Sequence, residues 1–520
     1  MNIAEVLRTR AEERGDAPAL IETHHGKDRI ITFRELQAAA CGIGEQLRQW
    51  GIDSGDSVLI LHPASAELYA FLIAVFQIGA TGMFLDPSAG RDHVERCLRI
   101  HSPKAFFGSR KAQVLRLWIP ALRRVEISLC SRPFPGACRC TLQTKGPERF
   151  RIATREASDA ALITFTSGST GEPKAALRTH GFLLAQHRVL QTSLQHRPGV
   201  YDLTTLPVFV LGNLASGVAS VLPDADMRRP GHIQPYKVLK QLQRLPIETM
   251  AASPAFVSRL VEGCRGSHIR LDCMQRVYMG GAPVFPEDLR LAREIFPNAE
   301  ITAVYGSTEA EPMAEIALSA IGERDFTAMQ QGRGLLAGRP VPSLSLRVIR
   351  NQWGTPIEPM SAGVFGDLCL GAGAVGEIVV SGEHVLSSYL NGTGVAETKF
   401  RVAGMVWHRT GDLGRMDEKG RLWLLGRASA AILDERGVLY PFAVECAARQ
   451  VAGVRRAAIL AIEGRRILAI EADGAAAMDA ARQAFPRAQI DEVRRLHSIP
   501  MDKRHNAKVE YATLRKMLAG

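Results

Sequence analysis

Residues 164–174 read Thr-Phe-Thr-Ser-Gly-Ser-Thr-Gly-Glu-Pro-Lys, TFTSGSTGEPK. The apolar run AALITFT (160–166) leads into them, and AALRTHGFLLAQH, a helix-compatible run, follows. A strand, a glycine-rich turn and a helical pattern in succession indicate α/β layering. Hydroxyls and glycines packed into one turn supply N–H and O–H donors facing one point, and the missing side chains allow close backbone approach. Such a turn suits a phosphate. It is not the GxxxxGK[ST] loop, because Pro173 precedes Lys174 and Ala175 follows it.

The same rhythm extends outward. SVLIL (57–61), RVYMGG (276–281) and AEITAVYG (299–306) are strand-like runs, each followed by a turn and a helical pattern, which predicts mostly parallel sheets. After about residue 330 the runs shorten. LSLRVIR (344–350), GDLCLG (366–371), GEIVVSG (376–382) and RLWLLG (421–426) are separated by Gly and Pro and predict an antiparallel β subdomain. GRASAAILDERG (426–437) reads as a junction. Beyond it, RRAAILAI (455–462) and RRILAIEA (465–472) alternate with helical stretches. The expected fold is α/β. A large N-terminal domain, 1–426, comprises α/β subdomains at about 1–160 and 161–330 and the β subdomain at 331–426. A small α+β domain, 427–520, follows, with 16 basic and 11 acidic side chains.

Composition narrows the function. The 520 residues are 46% hydrophobic and 22% charged, which excludes a disordered chain. The longest apolar run, Leu68 to Leu85, is interrupted by Gln77, Gly79, Thr81 and Gly82. A spanning helix needs about 20 predominantly apolar residues, so a buried helix ending near Gly79 and a short strand are expected, with no transmembrane segment. No apolar stretch marks a leader at the N-terminus, so a cytoplasmic protein is expected. Nine scattered cysteines without CxxC spacing disfavour both a disulfide framework and a structural zinc site. The formal charge of +11 is dispersed and no nucleic-acid-binding signature accompanies it, which argues against a nucleic-acid partner.

Three further segments carry chemistry. YGSTEAEP (305–312) closes a predicted strand, where Thr308 and Glu309 can hold a phosphate oxygen and a divalent cation. HRTGDLG (408–414) places Asp412 in a turn, where a carboxylate can bridge two ribose hydroxyls, and Gly426-Arg427 follows shortly after. RHNAK (504–508) offers Lys508 on a loop before a final helix.

In this order, these segments resemble the adenylate-forming superfamily of acyl-CoA ligases, peptide-synthetase adenylation domains and luciferases. TFTSGSTGEPK is similar to its phosphate loop, YGSTEAEP to its Tyr-Gly-x-Thr-Glu motif, RTGDLGRMDEKGRLWLLGR to its hinge-proximal motif, and RHNAK to its C-terminal lysine motif. The resemblance runs from ITFREL (31–36) to Lys508. It implies that Thr166, Ser167, Gly168, Ser169, Thr170, Gly171 and Lys174 hold the β- and γ-phosphates of ATP. Gly280, Gly281, Ala282 and Pro283 would lie beside adenine, and Tyr305, followed by Gly306, would stack on it. Thr308 would contact the α-phosphate, Glu309 would ligate Mg²⁺, and Asp412 would bind the ribose with Arg427 nearby. Lys508, on a mobile small domain, would bridge the attacking carboxylate and the α-phosphate. Both reactants are anions, so a cation at the phosphates and another between the reactants are what the chemistry needs.

Three positions depart from the common pattern. Val210 follows LPVF where many relatives carry His or an aromatic, Ser429 stands where the hinge commonly has Asp or Lys, and PMDKRHNAK replaces the usual C-terminal wording. An apolar Val210 fits either an acyl-chain wall or ordinary core. The RHNAK ending, the YGSTEAEP form and GRPVPSLSLRVI (338–349) look most like the olefin β-lactone synthetases. That branch implies a 3-hydroxy fatty acid substrate, closed to a β-lactone after adenylation, and would fit protein partners in a lipid or olefin pathway. A fatty acyl-CoA ligase, with CoA as second substrate, and a non-catalytic acyl- or nucleotide-binding scaffold are the alternatives.

Overall fold

The computed structural model describes all residues except 1, 144–145, 147–149, 168–172, 268, 393, 486–487, 503–507 and 520, together with the side chains of 88, 166, 167 and 267. The chain forms two compact units. One comprises Met1–Asp224 with Glu383–Ala396, the other Ala225–Gly382 with Glu397–Gly520.

The first unit is built on a seven-stranded sheet. Its order is Cys138–Arg139, Ile127–Cys130, Ala105–Gly108, Ser57–Leu61, Thr81–Phe84, Ala160–Ser167 and Pro173–Thr179. All neighbours are parallel except the last pair. Ser57–Leu61 is buried along its whole length, as a central parallel strand covered on both faces must be. The apolar run at 68–85 divides as expected into the helix Ala66–Gln77 and the strand Thr81–Phe84. That helix buries every residue but Glu67, and Phe71 stacks on Phe107 at 3.9 Å between ring centroids. Among the described residues no helix is long and apolar enough to cross a membrane. Val210, on the helix Pro207–Ser216, is fully buried in the same apolar cluster as Leu214 and Phe182, which makes it ordinary core.

The second unit opens with three parallel strands, Ile247–Ala252, Arg276–Met279 and Glu300–Ser307. The sheet then turns antiparallel through Ala310–Ala317, Leu335–Pro340, Leu422–Arg427, Met405–Met416, Gly376–Ser381 and Ser345–Ile349. The strand Lys399–Val402 pairs with Met405–Met416 at its edge. Ser429 lies in the 3₁₀ turn Ala428–Ala430 directly after Leu422–Arg427. Residues beyond it carry their own sheet of Val454–Ile462, Arg465–Ala472 and Glu492–Arg495. Its side chains alternate between two apolar clusters: Ile459 and Leu468 face one way, Leu460 and Ile467 the other. This is the two-residue period of a sheet covered on both faces.

The α/β class and the antiparallel region after residue 330 are as expected, but four local expectations fail. Pro173–Thr179 is a strand, and the helix begins only at His180, capped by the Thr179 hydroxyl. Pairing with Ala160–Ser167 overrides the helical preference of Ala-Ala-Leu-Arg. AEITAVYG leads not to a helix but to a two-residue turn, Thr308-Glu309, and an antiparallel strand, Ala310–Ala317. The first half of GDLCLG closes a short helix, Ala362–Leu368, capped by Ser361, and the rest contributes a single bridge from Cys369 to Ile349. Asp412 sits within the long strand Met405–Met416 rather than in a turn. The irregularity sensed there is Gly411, at φ +73° inside the strand, where a Cβ would also lie 2.9 Å from the Trp353 ring. Only glycine tolerates that position.

Candidate active site

In the first unit, the strands Ala160–Ser167 and Pro173–Thr179 flank the hydroxyl- and glycine-rich loop. Gly168, Ser169, Thr170 and Gly171 lie outside the described residues, as do the side chains of Thr166 and Ser167. The backbone registers Thr166 opposite Lys174 and Ser167 opposite Pro173, so the loop is closed by a paired ladder. Lys174 is 5% exposed, and its ammonium stands 5.9 Å from the Tyr389 ring centroid. A lysine held this way is fixed by its surroundings rather than waving in solvent.

In the second unit, the parallel strands Arg276–Met279 and Glu300–Ser307 are neighbours in register, Met279 beside Ala303. Their carboxyl ends deliver Gly281, Ala282 and Pro283 from one strand, and Tyr305, Gly306, Thr308 and Glu309 from the next. Ligands in open α/β sheets collect at this end of the strands. Thr308 and Glu309 are half-buried, and the Glu309 N–H donates to the Ser307 hydroxyl at 3.3 Å.

The antiparallel strands of this second unit carry two more of the candidate residues. Asp412 stands directly opposite Arg427. The Tyr305 hydroxyl donates to Asp412 Oδ2 at 2.7 Å, and Arg427 Nη1 donates to Asp412 Oδ1 at 3.1 Å and to the Thr410 carbonyl at 3.1 Å. The Asp412 N–H donates to the Thr410 hydroxyl at 3.0 Å. Burial, then the negative charge of Asp412, raises the Tyr305 phenol well above its usual pKa, so it stays a donor. The Asp412 charge also holds the Arg427 guanidinium firmly protonated.

Two residues beside Glu309 escaped the sequence reading. Lys399 is 5% exposed, and burial lowers its pKa to about 7 against the opposing pull of Glu309. It pairs across the strands with His408, which burial and the Lys399 charge push down to about 3. His408 Nδ1 lies 3.2 Å from the Thr398 carbonyl. Nothing in KFRV (399–402) marks Lys399; only the strand register brings it to His408.

The scaffold for Asp412 was also unread. Arg409, three residues before it, is sealed in a bidentate pair with Glu377, Nε to Oε1 at 2.7 Å and Nη2 to Oε2 at 2.8 Å, both side chains wholly buried. Its third nitrogen donates to the Thr355 carbonyl at 2.6 Å.

Tyr305, Asp412 and Arg427 are therefore brought into contact, with Glu309 acting electrostatically on Arg427, Lys399 and His408. Lys508 is not part of that cluster. Its side chain is exposed, its N–H donates to Asp502 Oδ1 at 2.8 Å, and its carbonyl accepts from the Asp502 N–H at 2.8 Å. Residues 504–507 of its motif lie outside the described residues.

Known proteins place this geometry. The chain is 31% identical to an olefin beta-lactone synthetase of Stenotrophomonas maltophilia, over 93% of this chain and 90% of that protein. It is 30% identical to an olefin beta-lactone synthetase of Xanthomonas campestris, over 98% and 96%. The fold matches the amide bond synthetase McbA from Marinactinospora thermotolerans at a TM-score of 0.80 over 99% of both chains, with 22% identity. The family model for AMP-binding enzymes matches residues 7–390. The chain belongs to the AMP-binding enzyme family, the adenylate-forming ligases.

Proposed function

We propose that this ligase adenylates a 3-hydroxy fatty acid with ATP and then closes the acyl adenylate to a β-lactone, releasing AMP. The supporting observation is the identity of 31% and 30%, across nearly the whole chain, with two proteins named olefin beta-lactone synthetase. In this reading Thr166 to Lys174 hold the β- and γ-phosphates, Gly281 to Pro283 and Tyr305 frame the adenine, and Thr308 contacts the α-phosphate. Asp412 takes the ribose hydroxyls. Its two oxygens each accept one described side-chain hydrogen bond, and a carboxylate oxygen has lone pairs to spare for a second. Mg²⁺ fits the donor set, since that ion is usually held by one or two carboxylates plus substrate phosphates, and Glu309 is a half-buried carboxylate on a tight turn. Bound there, the ion would offset phosphate charge.

The first step joins the acid's carboxylate oxygen to the α-phosphorus and expels pyrophosphate. Lys508 would stand between those anions, and its exposure fits a residue that arrives with closure of a mobile 427–520 domain. In the second step the 3-hydroxyl oxygen attacks the acyl carbon, the hydroxyl proton is lost, and the acyl–phosphate bond breaks to free AMP. Both groups belong to one molecule, so no second substrate need be captured.

The test is mass spectrometry of products from ATP and a 3-hydroxy fatty acid, with and without CoA. Lactone formed without CoA is expected. A thioester formed only with CoA would replace this reading with acyl-CoA ligation. Absence of ATP–pyrophosphate exchange with any fatty or 3-hydroxy acid, from folded protein, would remove catalysis altogether. Lys508→Ala is expected to abolish that exchange while leaving the unfolding midpoint unchanged.

A further inference from the structure

We propose that the helix Arg110–Trp118 is a membrane-docking element that seats the protein on anionic lipid. The inference stands apart from the adenylation site and holds whatever acid is activated there.

On this helix Val114, Leu117 and Trp118 are 42%, 69% and 71% exposed. Their spacing of three and four residues puts them on one face, so they form one apolar ridge. The opposite side is anchored. Ala112 and Gln113 are buried, and Gln113 Nε2 donates to the Leu129 carbonyl at 2.8 Å. None of the three belongs to the apolar cluster beneath, which takes Ala112, Ile119 and Leu122 from this segment. Large apolar side chains scattered singly over a surface need no explanation, but three adjacent ones do.

Charge identifies the occupant. Residues 110–124 contain five cationic side chains and no acidic one. Arg110 and Lys111 begin the helix and are exposed. Arg123 and Arg124, also exposed, stand at the end of the short helix Pro120–Arg123 that follows. Arg116 turns inward, its Nη1 donating to the Ser128 hydroxyl at 3.0 Å, and Arg110, though exposed, is steadied by its Nε donating to the Pro133 carbonyl at 3.1 Å. An apolar ridge tipped with Trp and flanked by cations is the pattern of a helix lying in the headgroup region. Its cations would meet lipid phosphates while the indole and the leucine enter the acyl boundary.

Other occupants fit less well. A stable protein interface buries roughly 800 Å² per partner, more than three side chains on one short convex helix can offer. A second copy docked about a two-fold axis would set the same cations against one another.

The experiment is co-sedimentation of the full chain with vesicles of phosphatidylglycerol and phosphatidylcholine in equal parts, and with phosphatidylcholine alone. Binding to the anionic vesicles, weakened by salt and weak on the neutral ones, is expected. Leu117→Ser with Trp118→Ser should lower that binding at least tenfold. Arg123→Gln with Arg124→Gln should lower it about thirtyfold. Unchanged unfolding midpoints show that both variants are folded. Wild-type protein that ignores anionic vesicles, equal binding to both lipids, or variants that bind like wild type would each overturn the proposal. So would a dimer in sedimentation velocity that the Leu117 and Trp118 changes dissolve while vesicles stay unbound.

Discussion

Two carboxylates meet the strand Met405–Met416 in opposite circumstances. Glu377 is sealed with Arg409, and both of its oxygens take guanidinium bonds in the dry interior. Asp412, three residues along, meets Arg427 through one nitrogen, and the Arg427 side chain is 56% exposed. The first pair is closed and can do nothing but hold strands together. The second has acceptor capacity in reserve and a phenol that stays protonated beside it. Gly411 stands between them at positive φ, in the stretch of the strand where its pairing with Gly376–Ser381 is irregular. On one strand, complete satisfaction builds the scaffold and incomplete satisfaction leaves a place for a ligand.

The largest way to break the comparison is Arg409→Met. It strands the Glu377 charge in the core and should cost about 3–5 kcal/mol, read as a fall in the denaturation midpoint. Arg409→Met with Glu377→Leu should recover most of that loss, because the desolvation penalty leaves with both charges. A double variant as unstable as the single would mean the pair is not what holds this region. Asp412→Ala should do the reverse. Its cost in stability is expected within about 1 kcal/mol, whereas ATP–pyrophosphate exchange should fall about a hundredfold, since charge-assisted bonds to ribose are lost. Tyr305→Phe keeps the ring and removes one donor to Asp412, so about a fivefold loss is expected. A Tyr305→Phe defect as large as that of Asp412→Ala would mean the phenol does more than orient the carboxylate.

The same contrast explains what could be read before any coordinates. Strands such as Ser57–Leu61 and Gly376–Ser381 are short apolar runs bounded by turn residues, and they announce themselves. Pro173–Thr179 and Ala310–Ala317 do not, because their alanines favour helix and only antiparallel partners make them strands. Among the candidate site residues, Tyr305, Glu309 and Asp412 sit in contiguous motifs, so the sequence alone singles them out. Glu377 is not singled out, for it meets Arg409 from a strand 32 residues earlier in the chain. Nor is Lys399, for its neighbour His408 lies across the turn of a hairpin whose alternation marks neither residue as polar core. That Glu377 comes to Arg409 is a tertiary fact, which no local pattern around either residue encodes.

A third carboxylate extends the series to a group with no cation among the described residues. Glu445, on the helix Pro441–Ala448, is buried. Among the described residues it has no ion-pair partner, only the Tyr511 hydroxyl at 2.5 Å and the Ile459 N–H at 3.1 Å, both donating to Oε1. Burial pushes its pKa up to about 7 from an ordinary 4.5, and the two hydrogen bonds oppose that shift only in part. The folded value is above the unfolded one, so the stabilisation is full below about pH 4.5 and is lost as pH rises through 7. The unfolding midpoint should therefore drop by a few degrees between pH 5 and pH 8. Glu445→Gln, neutral throughout, should flatten this slope. Tyr511→Phe, which removes a bond favouring the charged form, should carry the transition to higher pH. A Glu445→Gln protein with the wild-type slope would place the titration elsewhere, and a wild-type profile that rises over this range would show that Glu445 finds its cation in solution after all.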